Sequence, residues 1–169
     1  MIQTFTITPT IKATAYNIAL KRDTVAKNHN RTDGKFCEEY SDLEVNWQGA
    51  IAEVILKQKY PFFIDAQDPV VYSTDTMQTD FVCDELRLEV KCNRFSKMHP
   101  VFFVNQALYH KKGHLFDKLI CCGINNTPKD ASEFYLFGWI NKIEIPKFPL
   151  ETGFNAPAYA VPLDKIERF

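Results

Sequence analysis

Asp80, Glu89 and Lys91 are the residues of this chain whose types and spacing could do chemistry. From Leu86 to Asn93 the sequence alternates without a break. Leu86, Leu88, Val90 and Cys92 fall on one side, and Arg87, Glu89, Lys91 and Asn93 on the other. A period of two is the pattern of a half-buried strand. Residues i and i+2 of a strand share a face, so Glu89 and Lys91 are neighbours. Upstream, Asp80-Phe-Val-Cys83 reads as a second strand, with Asp84-Glu85 as the turn of a hairpin. Pairing about that turn brings Asp80 near the level of Glu89 to Lys91. Two carboxylates and an ammonium then converge on one patch.

Such a patch suits Mg²⁺-assisted hydrolysis of a phosphodiester. Mg²⁺ is hard and octahedral, and it is satisfied by one or two carboxylates together with waters and phosphate oxygens. It polarises the phosphoryl group and helps generate hydroxide from a bound water. A neighbouring lysine can orient that water, accept its proton, or neutralise charge that develops on phosphorus. The plain alternative is a hairpin with a charged outer face, its Glu89–Lys91 pair worth under ~1 kcal/mol.

Asp80 followed after eight residues by Glu89-Val-Lys91 resembles the signature of the PD-(D/E)XK, or restriction-endonuclease-like, nucleases. The flanks are similar as well. In that superfamily a helix carrying a glutamate precedes the hairpin, and a helix and further buried strands follow it. Asn46 to Leu56 fits the first, with Glu53 as its glutamate; Asp117 to Ile124 and Phe134 to Ile140 fit the second. The likeness covers roughly residues 45 to 145. Thr79 stands where the signature's name has proline, a mild departure. Gln106-Ala-Leu-Tyr109 is one residue short of the Gln-x-x-x-Tyr of some exonuclease branches. The resemblance implies a mixed central sheet of about five strands flanked by helices. It also implies Mg²⁺, with Mn²⁺ as a substitute, held by Asp80, Glu89, the Val90 carbonyl and, in some arrangements, Glu53. Lys91 would position or deprotonate the attacking water, and cleavage would leave a 5′-phosphate and a 3′-hydroxyl.

At 169 residues, 46% hydrophobic and 24% charged, the chain reads as one soluble α/β domain, with a core over residues 42–145 and a wrapping tail over 146–169. Its apolar runs are too short to span a bilayer, and no secretory signal is visible. Five cysteines without a Cys-x-x-Cys pair fit neither a disulfide framework nor a zinc knuckle. They are expected to be buried thiols in a reducing cytoplasm. The net charge is only −1, yet it is segregated. Residues 1–37 hold six basic and two acidic groups, residues 38–89 three and twelve, and residues 90–118 six and one. Carboxylates to gather metal between basic flanks to hold phosphate is an arrangement a nuclease can use.

The elements that must position the site follow in order. Residues 3–8 suggest an edge strand, and Ile11 to Lys21 a helix. Residues 22–36 read as a polar mobile loop whose Lys27, His29, Arg31 and Lys35 could meet phosphates. Asp42 to Tyr60 is the clearest helix, with Trp47, Ala50, Ile51, Val54 and Ile55 as its apolar stripe. Glu53 lies off that stripe, one turn from Gly49. It faces water, or else Gly49 lets this side approach the sheet and brings Glu53 to the metal. Residues 61–78 read as a loop with a short strand at Val70 to Tyr72. Val101 to Tyr109 suggests an amphipathic packing helix. Arg94, Lys97, Lys111 and Lys112 are candidate phosphate contacts, and Gln106 a cleft residue. Leu119 to Ile124 and Phe134 to Ile140 are apolar on both faces, as central strands are. The tail should add a strand at Tyr159 to Val161 and a helical turn after Pro162.

The expectation is therefore a Mg²⁺-dependent deoxyribonuclease acting on DNA, away from membranes, and dimeric if it cuts both strands of a duplex. The alternatives are an RNA nuclease, or the same fold kept as a nucleic-acid- or protein-binding module without turnover. A cysteine-based hydrolase built on Cys83 or Cys92 is a third.

Overall fold

The strand that carries Glu89 and Lys91 lies in the middle of the molecule and is used on both of its faces. In the computed structural model, which describes residues 2–28, 41–66, 79–95, 100–112, 115–153 and 156–169, the elements run β1 (Gln3–Thr6), α1 (Pro9–Asn28), α2 (Asp42–Lys59), β2 (Ile64–Asp65), β3 (Phe81–Cys83), β4 (Leu86–Arg94), β5 (Val101–Asn105), α3 (Gln106–Lys112), β6 (Lys118–Ile124), β7 (Glu133–Asn141), β8 (Leu150–Glu151) and β9 (Ala158–Pro162). Short 3₁₀ turns follow β7 and β9. Six strands form one curled mixed sheet in the order β1-β7-β6-β4-β3-β2, and β5-β9-β8 form a small second sheet. Among the described residues only β4 and β6 pair in parallel. No helix among the described residues is long and apolar enough to cross a membrane.

The pleat of the central strands sorts their side chains into two cores. Leu88, Val90, Ile120, Cys122 and Leu136 pack with Ala50, Ile51, Ile55 and Leu56 of α2 and with Ile11 and Ala15 of α1. Leu119, Cys121, Tyr135, Phe137 and Ile140 pack the other way, with Phe102, Val104, Tyr159 and Val161 of the second sheet. The helices α1 and α2 therefore cover one face and the second sheet covers the other. The expected sheet of about five strands has six, and helices on both faces are replaced by helix on one and sheet on the other.

Local signals explain most elements. Ser41 caps α2: its hydroxyl accepts from the Glu44 amide while the Glu44 carboxylate accepts from the Ser41 amide, a reciprocal capping box. Pro9 opens α1, where a proline costs no hydrogen bond. That helix continues to Asn28, so residues 22–28, expected in a loop, are helical; no glycine or proline interrupts them. The rest of that loop, and the strand expected at Val70 to Tyr72, lie outside the described residues; the chain pairs instead at Ile64–Asp65. Val101 to Tyr109 is not one helix. Its first five residues form β5, burying Phe102 and Val104 alternately, because β-branched and aromatic residues fit the pleat. Helix begins only at Gln106. The strands expected at residues 119–124, 134–140 and 159–161 and the turn after Pro162 are present.

Two backbone positions fix the architecture. The β3–β4 turn places Asp84 at φ 46° and Glu85 at φ 69°, the pair of positive angles that a two-residue hairpin turn matched to strand twist requires. Gly138 has φ +133°, and a side chain there would collide with the Glu167 carbonyl, where the C-terminal segment bridges to Trp139. Gly138→Ala is expected to destabilise the fold by about 3 kcal/mol or more in urea denaturation. Glu85→Gly, which relieves a left-handed non-glycine residue, should instead stabilise it by about 1 kcal/mol in the same measurement.

Candidate active site

Hairpin register determines what meets what. Phe81 pairs with Leu88, Val82 with Arg87 and Cys83 with Leu86, so Asp80 stands level with Glu89, immediately before β3 begins. There the Asp80 amide donates to the Leu88 carbonyl at 3.1 Å. The Val90 amide donates to Asp80 Oδ2 at 2.7 Å. Within a strand the N–H and C=O of one residue point to the same edge, so the Val90 carbonyl also faces the Asp80 side. Glu89 is buried, 3% exposed. Its Oε1 lies 4.0 Å from Lys91 Nζ, whose side chain remains 33% exposed. Asp80, Glu89, the Val90 carbonyl and Lys91 therefore come together as the sequence suggests.

Their donor set fits Mg²⁺. Two carboxylates and a carbonyl leave octahedral positions for water and phosphate oxygens. Among the described residues no three Asp, Glu, His or Cys side chains gather into a ligand cluster, which a hard ion that keeps its waters does not need. An interior carboxylate also calls for compensating positive charge; Lys91 supplies some, and a bound divalent ion would supply more.

Glu53 is elsewhere. It belongs to α2, on the Leu88–Val90 side of the sheet, whereas the pleat sends Glu89 and Lys91 to the opposite side. Arg22 of α1 grips it with two hydrogen bonds of 2.7 and 2.5 Å, and the two side chains are only 10% and 15% exposed. A Cβ on Gly49 would meet nothing within 4 Å, so Gly49 provides no close approach to the sheet. The off-stripe position of Glu53 serves helix–helix docking, a role hidden because Arg22 was read as part of a loop.

The candidate phosphate contacts are divided. Arg94 ends β4 and lies 3.5 Å from Glu44 of α2, while Gln48 of α2 donates to the Cys92 carbonyl, so α2 clasps this end of the strand. Gln106 opens α3, half-buried, its amide bonded to the Pro157 carbonyl at 2.9 Å. Lys111 is exposed on α3 and Lys112 ends it; Lys97 lies outside the described residues. Two open grooves, lined in part by Thr4, Thr6 and Lys59 and by Tyr16 and Trp47, lie on the α1 side rather than at the hairpin. Burial pushes the thiols of Cys83, Cys92, Cys121 and Cys122 above their ordinary range, opposite to what a thiolate nucleophile needs.

One ion pair near the site went unnoticed in the sequence. Asp117, just before β6, accepts from Arg87 Nε and Nη2 at 3.1 and 2.9 Å and from the Arg87 amide at 3.0 Å. Lys142 Nζ stands 4.0 Å from it. Thirty residues of separation, with no local pattern, conceal such a pair. No known protein family, curated protein or solved structure matches this chain.

Three expectations follow. Arg22→Met, which leaves Glu53 enclosed without its guanidinium, should cost about 3 kcal/mol in urea denaturation, and adding Glu53→Leu should recover most of the loss. Glu53→Gln should leave Mn²⁺ affinity, read by titration calorimetry, unchanged. The hydrogen bonds from Arg87 hold the Asp117 carboxyl below the usual carboxylate range. A depressed folded-state pKa stabilises the fold above the unfolded value of about 3.9, and that stabilisation is lost as pH falls through the folded value. The Tm difference between wild type and Asp117→Asn should thus be present at pH 7 and close in strong acid.

Proposed function

We propose that this protein is a Mg²⁺-dependent nuclease that hydrolyses DNA phosphodiester bonds at Asp80, Glu89 and Lys91, on a restriction-endonuclease-like fold. The observation that carries the reading is a carboxylate buried in the middle of a sheet, 3% exposed, with a lysine two residues on and Asp80 held level with it by the Val90 amide. A decorative surface pair has no reason to be internal, because burial of charge costs far more than the pair returns. The order of elements supports the same reading: α2, then the hairpin, then α3 and the buried strands β6 and β7. Asp80, Glu89 and the Val90 carbonyl would hold the metal, which would supply Lewis acidity and an activated water. Lys91 would orient that water or offset charge on the phosphoryl group. One site per chain makes a homodimer the natural form for cutting both strands of a duplex.

A second reading, the same domain retained for binding without turnover, is favoured by one observation: Glu53 stays on the far side of the sheet and does not join the acidic pair. The two are separated by incubating labelled single-stranded, duplex and branched DNA, and RNA, with Mg²⁺, Mn²⁺ or EDTA. The nuclease cuts only with metal, and Lys91→Ala lowers the rate by about 10²–10³-fold while circular dichroism stays unchanged. Glu89→Ala abolishes both cutting and Mn²⁺ binding. Binding that ignores EDTA and Lys91→Ala, with no cutting of any substrate, would leave the binding module in its place.

A further inference from the structure

The hairpin places an apolar strip beside the candidate site, and its composition bears on which form of DNA is bound. Ile64 of β2 pairs with Val82 of β3, which pairs with Arg87 of β4. Directly opposed residues share a face, and Arg87, Glu89 and Lys91 follow at intervals of two. Ile64, Val82 and Arg87 therefore form a rung on the same face as Glu89 and Lys91, about 7 Å along the strand from the Asp80–Glu89 level. Ile64 is 67% exposed and Phe62 58%. Phe63, between them, is buried with its ring 5.6 Å from that of Phe81, which anchors the segment and turns its two neighbours outward. At the end of this rung Asp117 gathers two cations, Arg87 and Lys142.

We propose that this strip binds an unpaired DNA strand, with Ile64, and beyond it Phe62 in the turn that precedes β2, packing against exposed bases a few nucleotides along from the phosphate at Asp80 and Glu89. The inference rests on the nuclease reading and names its substrate class. The pairing of surfaces is specific. Lys91, and the one positive charge that Arg87 and Lys142 keep in excess over Asp117, face a backbone, and Phe62 and Ile64 offer flat apolar surface to what a single strand exposes and a duplex keeps within its stack. A continuous duplex presents phosphates and groove edges to a protein, and its base faces are not accessible to an aliphatic or phenyl side chain. An exposed aromatic and an exposed isoleucine, two residues apart on the segment that enters the sheet edge next to Asp80, match unstacked bases.

The test is fluorescence anisotropy of a short labelled oligonucleotide in EDTA, so that binding is read without turnover. It compares single-stranded with blunt duplex DNA for wild type, Phe62→Ser/Ile64→Ser, and Leu20→Ser, a control for an exposed apolar residue on α1. Wild type should bind the single strand about tenfold or more tighter than the duplex, and the double variant should lose about 5- to 100-fold of that affinity. Its thermal melt should match that of wild type, and Leu20→Ser should bind as wild type does. Equal or tighter binding of duplex, or a double variant that keeps its single-strand affinity, overturns the inference. Should either of those occur while Mg²⁺-dependent, Lys91-dependent cutting persists, only the substrate class is wrong. Absence of both binding and cutting overturns the nuclease reading along with it.

Discussion

Everything in this molecule depends on one central strand being buried on both sides. Strand β4 lies between β3 and β6, and its pleat sends Leu88 and Val90 into the core under the helices, while Glu89 is enclosed on the opposite face. A one-residue slip of register would exchange these faces, placing a carboxylate and an ammonium under α2 and two aliphatic side chains at the candidate site. The hairpin turn, with positive φ at both Asp84 and Glu85, sets the register from one end. The Arg87–Asp117 pair ties the neighbouring end of β4 to the entry of β6. Placement of the chemistry and stability of the core are thus the same constraint seen from two faces.

The burial of Glu89 is the price of that arrangement. An interior carboxylate is expensive without nearby positive charge. Lys91 stands 4.0 Å away, close enough to moderate the cost while remaining partly open to solvent. The other enclosed ion pair, Arg22 with Glu53, answers a different need. It joins α1 to α2 through a two-pronged guanidinium–carboxylate contact, whose planar geometry fixes how the helices meet. Acid–base pairs thus stand on opposite sides of one sheet, one enclosed between helices and one partly open to solvent.

The second sheet does for one face of the central sheet what the two long helices among the described residues do for the other. Strands β5 and β9 cover Leu119, Cys121, Tyr135 and Phe137 with Phe102, Val104, Tyr159 and Val161, work that a helical layer could have done. The tail is built into this cover: Glu167 pairs with Trp139 across the close approach at Gly138, and Phe169 lies against Tyr60 and Trp139. The last residues of the chain are therefore part of the framework that holds β7, and through it β6 and β4.

The sequence by itself determined the elements whose signals are local. The alternation of residues 86–93, the turn at Asp84-Glu85, the apolar stripe of α2 and the doubly apolar strands β6 and β7 are all legible, because period and turn chemistry act over a few residues. With them came the levels of Asp80, Glu89 and Lys91 on the hairpin, since a short hairpin leaves little choice of register. Only the tertiary structure decided what depends on distant partners. Glu53 was assigned to a metal or to water, yet its position is set by Arg22, thirty-one residues away. Val101 to Asn105 had a pattern open to helix, and pairing with Ala158–Pro162 made it a strand. The burial of Glu89 likewise comes from packing on the face of β4 away from the helices, which no local period announces. A side chain's neighbours along the chain fix its conformation, but what lies above its face is fixed by packing between segments far apart in sequence.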